Sequence, residues 1–139
     1  MTIHFIIPGN QDDPNGNPIP KIKKTFRQQW TPAAQRYAAW KDYVAWTLID
    51  QMPEVLALPF KKNLLQKGKP IDGTPDAKME IMIYWANEKH ADSESVFGSI
   101  ADAIFSNDKH LAGEIRYTHA KDRKGKVEVA ITINENNDA

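Results

Sequence analysis

Cysteine is absent from all 139 residues, so neither disulfides nor thiolate metal ligands are available to this chain. Long uncharged apolar runs are absent too, and no membrane-spanning helix is expected. The opening Met1-Thr2-Ile3-His4-Phe5-Ile6-Ile7-Pro8 lacks the basic start and extended apolar core of a signal peptide. These absences together lead to the expectation of a cytoplasmic protein with no membrane partner. Net charge is missing as well, since 18 basic residues balance 18 acidic ones. Taken as an average, that balance argues against an electrostatic nucleic-acid binder.

The distribution of charge argues otherwise. From Lys21 to Lys41 every charge is positive: Lys21, Lys23, Lys24, Arg27, Arg36 and Lys41. Lys61, Lys62, Lys67 and Lys69 make a second basic run. Arg116, Lys121, Arg123, Lys124 and Lys126 make a third, broken only by Asp122, while the acids concentrate between Asp72 and Glu114. A basic surface framing an acidic pocket is the charge plan of a metal-dependent nuclease. The plainer reading is a set of solvated faces and loops.

The length fits one domain, residues 1–139. Ile3 to Ile7 is a short apolar run that Pro8-Gly9 breaks, so it reads as a strand. Residues 9–30 form a Pro-, Asn- and Lys-rich loop. Thr31-Pro32 is a helix start, with Tyr37, Trp40, Val44 and Leu48 at helical spacing until Pro53. A weaker helical patch covers residues 54–66. Met79, Ile81, Ile83 and Trp85 alternate with more polar residues as a strand does. Val96, Phe97, Ile100, Ala101, Ile104 and Phe105 mark one face of a further helix. Residues 115–120 and 127–133 read as two strands joined as a hairpin by residues 121–125, and residues 134–139 as a frayed tail. The order points to an α+β fold, with helices packed on a mixed sheet.

The chemistry concentrates in His90-Ala91-Asp92-Ser93-Glu94-Ser95, which opens the last helix. Two carboxylates stand two residues apart there, and Asn107-Asp108 follows the helix end. Magnesium takes oxygen from one or two carboxylates and leaves its other positions to water and phosphate. Asp92, Glu94 and Asp108 are therefore a candidate metal set for phosphodiester chemistry. Acids at a helix start also cap free N–H groups and complement the helix dipole, which is the competing reading for Asp92 and Glu94. Asp102, a poor residue for the middle of a helix, needs a compensating partner or acts as an outer group of the site. Asp108 alone reads as a turn residue, and His90 and His110 as polar surface. Trp30, outside the helix, is open to stack on unpaired bases. Lys21, Lys23, Lys24 and Arg27 lie in a segment with no helix or ribbon to enter a groove, so phosphate contact without base readout is expected.

These segments resemble the RusA family of Holliday junction resolvases across most of the chain. The opening strand, Pro20-Lys21-Ile22-Lys23-Lys24, and Thr31-Pro32 leading to Tyr37 and Trp40-Lys41 are similar to the family's early strand, basic loop and first helix. Asp92-Ser93-Glu94-Ser95 falls where the family has Asp-x-Asp-Asn, Asp102-Ala103-Ile104 at its Asp-Ala-Leu, and Asn107-Asp108 at its later acidic pair. Residues 126–133 are similar to its closing strand. Glu94, Ser95 and Gly98 differ from the family's aspartate, asparagine and lysine. The resemblance implies a homodimeric endonuclease that cleaves branched DNA in recombination, repair or phage DNA processing. It implies Mg²⁺ (or Mn²⁺) on Asp92, Glu94 and Asp108, with Asp102 in support. The alternatives are a RusA-like DNA-binding protein without catalysis and a small α+β interaction module.

Overall fold

Alternation and capping residues account for most of the elements in the computed structural model, which describes residues 2–22, 30–54, 77–105 and 111–133. Strand β1 (Thr2–Pro8) buries Ile3, Phe5 and Ile7 and exposes the residues between them. Helix α1 (Pro32–Gln51) starts where Thr31 accepts the Ala34 N–H on its hydroxyl at 3.2 Å, with a proline in the first turn. Strand β2 (Ala77–Trp85) follows, then helix α2 (Ser93–Ile104), strand β3 (Ala112–His119) and strand β4 (Lys126–Ile133). The patch at 54–66 lies outside the described residues apart from its first position, and the tail at 134–139 lies wholly outside them.

The four strands form one sheet in the order β1-β4-β2-β3. β4 runs antiparallel to both β1 and β2, whereas β3 is parallel to β2. The hairpin expected between β3 and β4 is therefore not formed: β2 lies between them. The reason is the β2-α2-β3 crossover, which sets β3 beside β2 in parallel and leaves β4 the inner place next to β1. Residues 120–125 cross the end of β2, and the Ala120 N–H donates to the Trp85 carbonyl at 2.9 Å. Six residues reach up to roughly 20 Å, ample for the ~10 Å between alternate strands.

One sheet face carries Ile3, Phe5, Ile7, Met79, Ile81, Ile83, Trp85, Val127, Val129 and Ile131, all buried under the helices. The opposite face is open and lined with ion pairs. Lys78 lies 3.1 Å from Glu80 and 3.6 Å from Glu114, which also takes Arg116 at 3.2 Å. The β1 edge is closed by Gln51, whose side-chain amide accepts the Ile6 N–H at 2.7 Å and donates to the Ile6 carbonyl. Among the described residues, no helix is long and apolar enough to cross a membrane.

The helices are joined by two polar rungs that run antiparallel. The Trp40 indole N–H donates to Ser99 Oγ at 3.0 Å, and Ser99 Oγ donates to the Val96 carbonyl at 2.8 Å. One turn along, the Tyr37 hydroxyl donates to Asp102 at 2.8 Å, and the Lys41 ammonium lies 3.5 Å from the same oxygen. Trp40 and Ser99 are fully buried, so losing the serine hydroxyl strands an indole donor without water. Ser99→Ala is expected to lower unfolding stability by about 1–3 kcal/mol in urea titration. A loss no larger than that of a surface substitution would contradict this role.

Candidate functional site

The first turn of α2 is built around Asp92. Its backbone is extended (φ −77°, ψ 152°), and its carboxylate accepts the Ser95 N–H at 2.9 Å and the Ser95 hydroxyl at 2.8 Å. Asp92 is thus a helix N-cap, and both of its oxygens are engaged by one residue. Those bonds, the backbone one foremost, hold the Asp92 carboxyl below the usual carboxylate range. Glu94 lies in the same turn, and both acids are exposed. Side chains two apart on a regular helix diverge, but Asp92 stands before the helix proper, so both carboxylates open at its N-terminal end.

The segment after the opening loop lies against this turn. Pro18 and Ile19 are buried, and Ile22 packs on the core. Between them the Lys21 N–H donates to the Ser95 carbonyl at 2.8 Å. The stem of Lys21 then crosses Gly98: a Cβ built on that glycine would meet Lys21 Cδ at 3.3 Å. An exposed lysine is therefore anchored beside Asp92 and Glu94, and no carboxylate pairs with it among the described residues. Trp30 is 76% exposed, as expected for a residue outside the helix, while Tyr37 and Trp40 are core.

The remaining site candidates separate into two groups. Asp102 is half-buried against Tyr37 and Lys41, and does not stand clear on the far side of its helix. It lies ten residues from Asp92 on the same helix, about 15 Å along the axis, too far to share one ion. Its partner is the basic side chain that a mid-helix aspartate calls for. Asp108, Lys23, Lys24, Arg27 and His110 lie outside the described residues. Among the described residues, no group of three or more His, Asp or Glu is arranged to hold a metal ion. Asp92 and Glu94 supply two hard oxygen donors in an open place, which suits magnesium with several waters retained.

The pairing of charges also divides the basic runs. Arg36 is bound to Asp12 at 3.1 Å, Lys41 to Asp102 and Arg116 to Glu114, so these three are neutralised. Lys126 lies over the Tyr84 ring, 4.8 Å from its centroid. Lys21, Lys89, Lys121, Arg123 and Lys124 carry no ion pair among the described residues.

Two organising residues were not apparent from the sequence. Asn10, buried, accepts the Asp12 and Asp13 N–H groups and donates to the Asn17 carbonyl. Asn17 accepts the Ala86 N–H at 2.6 Å and donates to the Asn87 side chain and the Lys89 carbonyl, tying residues 9–17 to the β2–α2 loop. Gly9 (φ +48°) and Gly125 allow that approach, because a Cβ at either would overlap main-chain oxygen. The only signal was the density of Asn and Gly in residues 9–17.

No protein-family model matches this chain, and no curated protein matches it.

A carboxyl whose pKa is lowered on folding stabilises the fold above the unfolded value, and that contribution is lost as pH falls through the lowered folded value. The Asp92 contribution is therefore present at neutral pH and disappears in acid. NMR titration is expected to place the Asp92 midpoint below those of exposed carboxylates, and Ser95→Ala is expected to raise it. An unmoved midpoint in Ser95→Ala would show that the serine is not what holds the charge.

Proposed function

We propose that this protein is a divalent-metal-dependent endonuclease of branched DNA, acting as a homodimer and akin to the RusA resolvases. The observation that carries this reading is the hydrogen bond from the Lys21 N–H to the Ser95 carbonyl. It joins a basic strand and a pair of exposed acids into one surface, the combination that phosphodiester cleavage needs.

In this reading Asp92 and Glu94 hold Mg²⁺ or Mn²⁺, with Asp108 as the third ligand by resemblance. An ion bound there supplies an activated water and offsets charge growing on the phosphate. The chain's own residues do the rest. The Ser95 bonds keep Asp92 ionised and fix its rotamer, so it meets a cation without first losing a proton. Lys21 takes the place of the lysine that the family carries where Gly98 stands here, because its stem lies across that glycine. Exposed Trp30 offers a stacking face to a base unpaired at a branch point. Lys21, Lys23, Lys24 and Arg27 grip phosphates without reading sequence. Two copies place two such sites on opposed strands of a junction.

A second reading, binding without cleavage, is favoured by one observation. Ser95 engages both Asp92 oxygens, and no third carboxylate joins them among the described residues. A four-way junction assay separates the two readings. Wild-type protein is expected to bind the junction in EDTA with steep salt dependence and to cut it once Mg²⁺ or Mn²⁺ is added. Asp92→Asn, which still caps the helix, is expected to bind at least as tightly and to lose cleavage. Binding without cleavage under every divalent ion would favour the second reading. No junction binding in EDTA would leave a small interaction module.

A further inference from the structure

The loop from β2 to α2 and the turn from β3 to β4 enclose a recess of about 700 Å³. Lys89 lines it from the first segment, and His119 and Arg123 from the second. We propose that this recess is a phosphate-binding site, which in the nucleic-acid complex takes a backbone phosphodiester near the acid-bearing end of α2. The inference rests on the DNA reading above for the source of the phosphate, though not for the chemistry of the site.

Charge is the first argument. Two permanent cations face the recess against one carboxylate, Glu88, and neither cation is ion-paired among the described residues. Elsewhere Arg36, Lys41, Lys78 and Arg116 all have carboxylate partners. Unpaired Lys and Arg converging on one concavity, with an imidazole between them, suit a phosphate, which a guanidinium can hold through two parallel bonds.

Rigidity is the second. Asn17 donates to the Lys89 carbonyl at 3.2 Å and the Asn87 side chain accepts the Lys89 N–H at 2.9 Å, so the Lys89 backbone is fixed. Across the recess, Ala120 is tied to Trp85, and the Arg123 N–H donates to the Ala120 carbonyl at 3.1 Å. Lys89 and Arg123 thus project from pinned backbone on both walls.

Backbone strain is the third. Arg123 has φ +59°, and it alone among the described non-glycine residues has a positive φ. Left-handed backbone costs an ordinary L-residue about 1–2 kcal/mol, and glycine or asparagine would sit there more easily. An arginine kept in such a conformation beside a concavity fits the way strain collects at ligand-holding positions.

Position is the fourth. Lys89 is three residues before Asp92, so their Cα atoms lie within about 11 Å. Each strand of a duplex advances about 3.4 Å of axis per phosphate. The recess therefore falls within a few phosphates of the acids, on the end of the sheet that also carries Lys21.

The test uses the full chain in EDTA and two probes, inorganic phosphate and a four-way junction. Phosphate is expected to shift the amide resonances of Lys89, His119, Ala120 and Arg123 in the wild type. Those shifts should vanish in Lys89→Ala/Arg123→Ala and in Arg123→Gly. The glycine variant suits the positive φ, so it removes the guanidinium while relieving strain, and it guards against loss of fold. Junction affinity in the double variant is expected to fall about tenfold or more, and its salt slope by about 1.8, or 0.9 per phosphate contact. Absence of phosphate-induced shifts at the recess would overturn the site, as would wild-type junction affinity and slope in the double variant. Phosphate shifts in a wild-type protein that binds no junction would uphold the site and remove the DNA reading instead.

Discussion

A serine hydroxyl in the middle of a buried helix face decides how α2 sits. Ser99 accepts the Trp40 indole N–H and passes its own proton to the Val96 carbonyl, so neither polar group is left dry. Moving α2 along its axis or turning it would break that chain and the Tyr37–Asp102 bond together. With the rotation fixed, Val96, Ile100, Ala103 and Ile104 face the core, and the first turn is left at the surface. Asp92 and Glu94 inherit their exposure from this constraint. The same turn accepts the Lys21 N–H, so the position of the basic segment depends on it too.

Formal charge sums to zero, yet the fold distributes it unevenly. Carboxylates on helix sides and on the open sheet face are spent on nearby cations: Asp102 on Lys41, Asp12 on Arg36, Glu80 and Glu114 on Lys78. What stays unpaired gathers at one end of the sheet, where Asp92 and Glu94 are neighboured by Lys21 and by Lys89 and Arg123. Exposed pairs contribute little to stability, so their effect is mainly to settle which charges remain available. That arrangement, more than any average, supports a phosphate-bearing partner.

Local patterns carried the elements well. Strict alternation marked β1, β2 and β4, Thr31-Pro32 marked the start of α1, and an acid followed by serines marked the start of α2. Strand order was not legible. Lys121-Asp122-Arg123-Lys124-Gly125 has the composition of a hairpin turn, but pairing is decided by the crossover through α2 and by the doubly partnered place β4 occupies. The Asp102 partner was foreseeable only as a kind, a basic side chain, because helix rotation depends on the distant Trp40. Asn17 was illegible for a related reason: its three bonds reach residues 69 to 72 positions away. Of the candidate site, the acids and Lys21 could be read from the sequence, and the recess between Lys89 and Arg123 could not, since its walls are joined only by folding.

The central claim is that the exposed start of α2 is a divalent-cation site, and paramagnetic Mn²⁺ added to the amide spectrum of the metal-free chain tests it most directly. The account predicts substoichiometric Mn²⁺ broadening centred on the amides of Asp92 to Ser95 and reaching Lys21, lost in Asp92→Asn. Broadening centred elsewhere, or identical in wild type and Asp92→Asn, would contradict it.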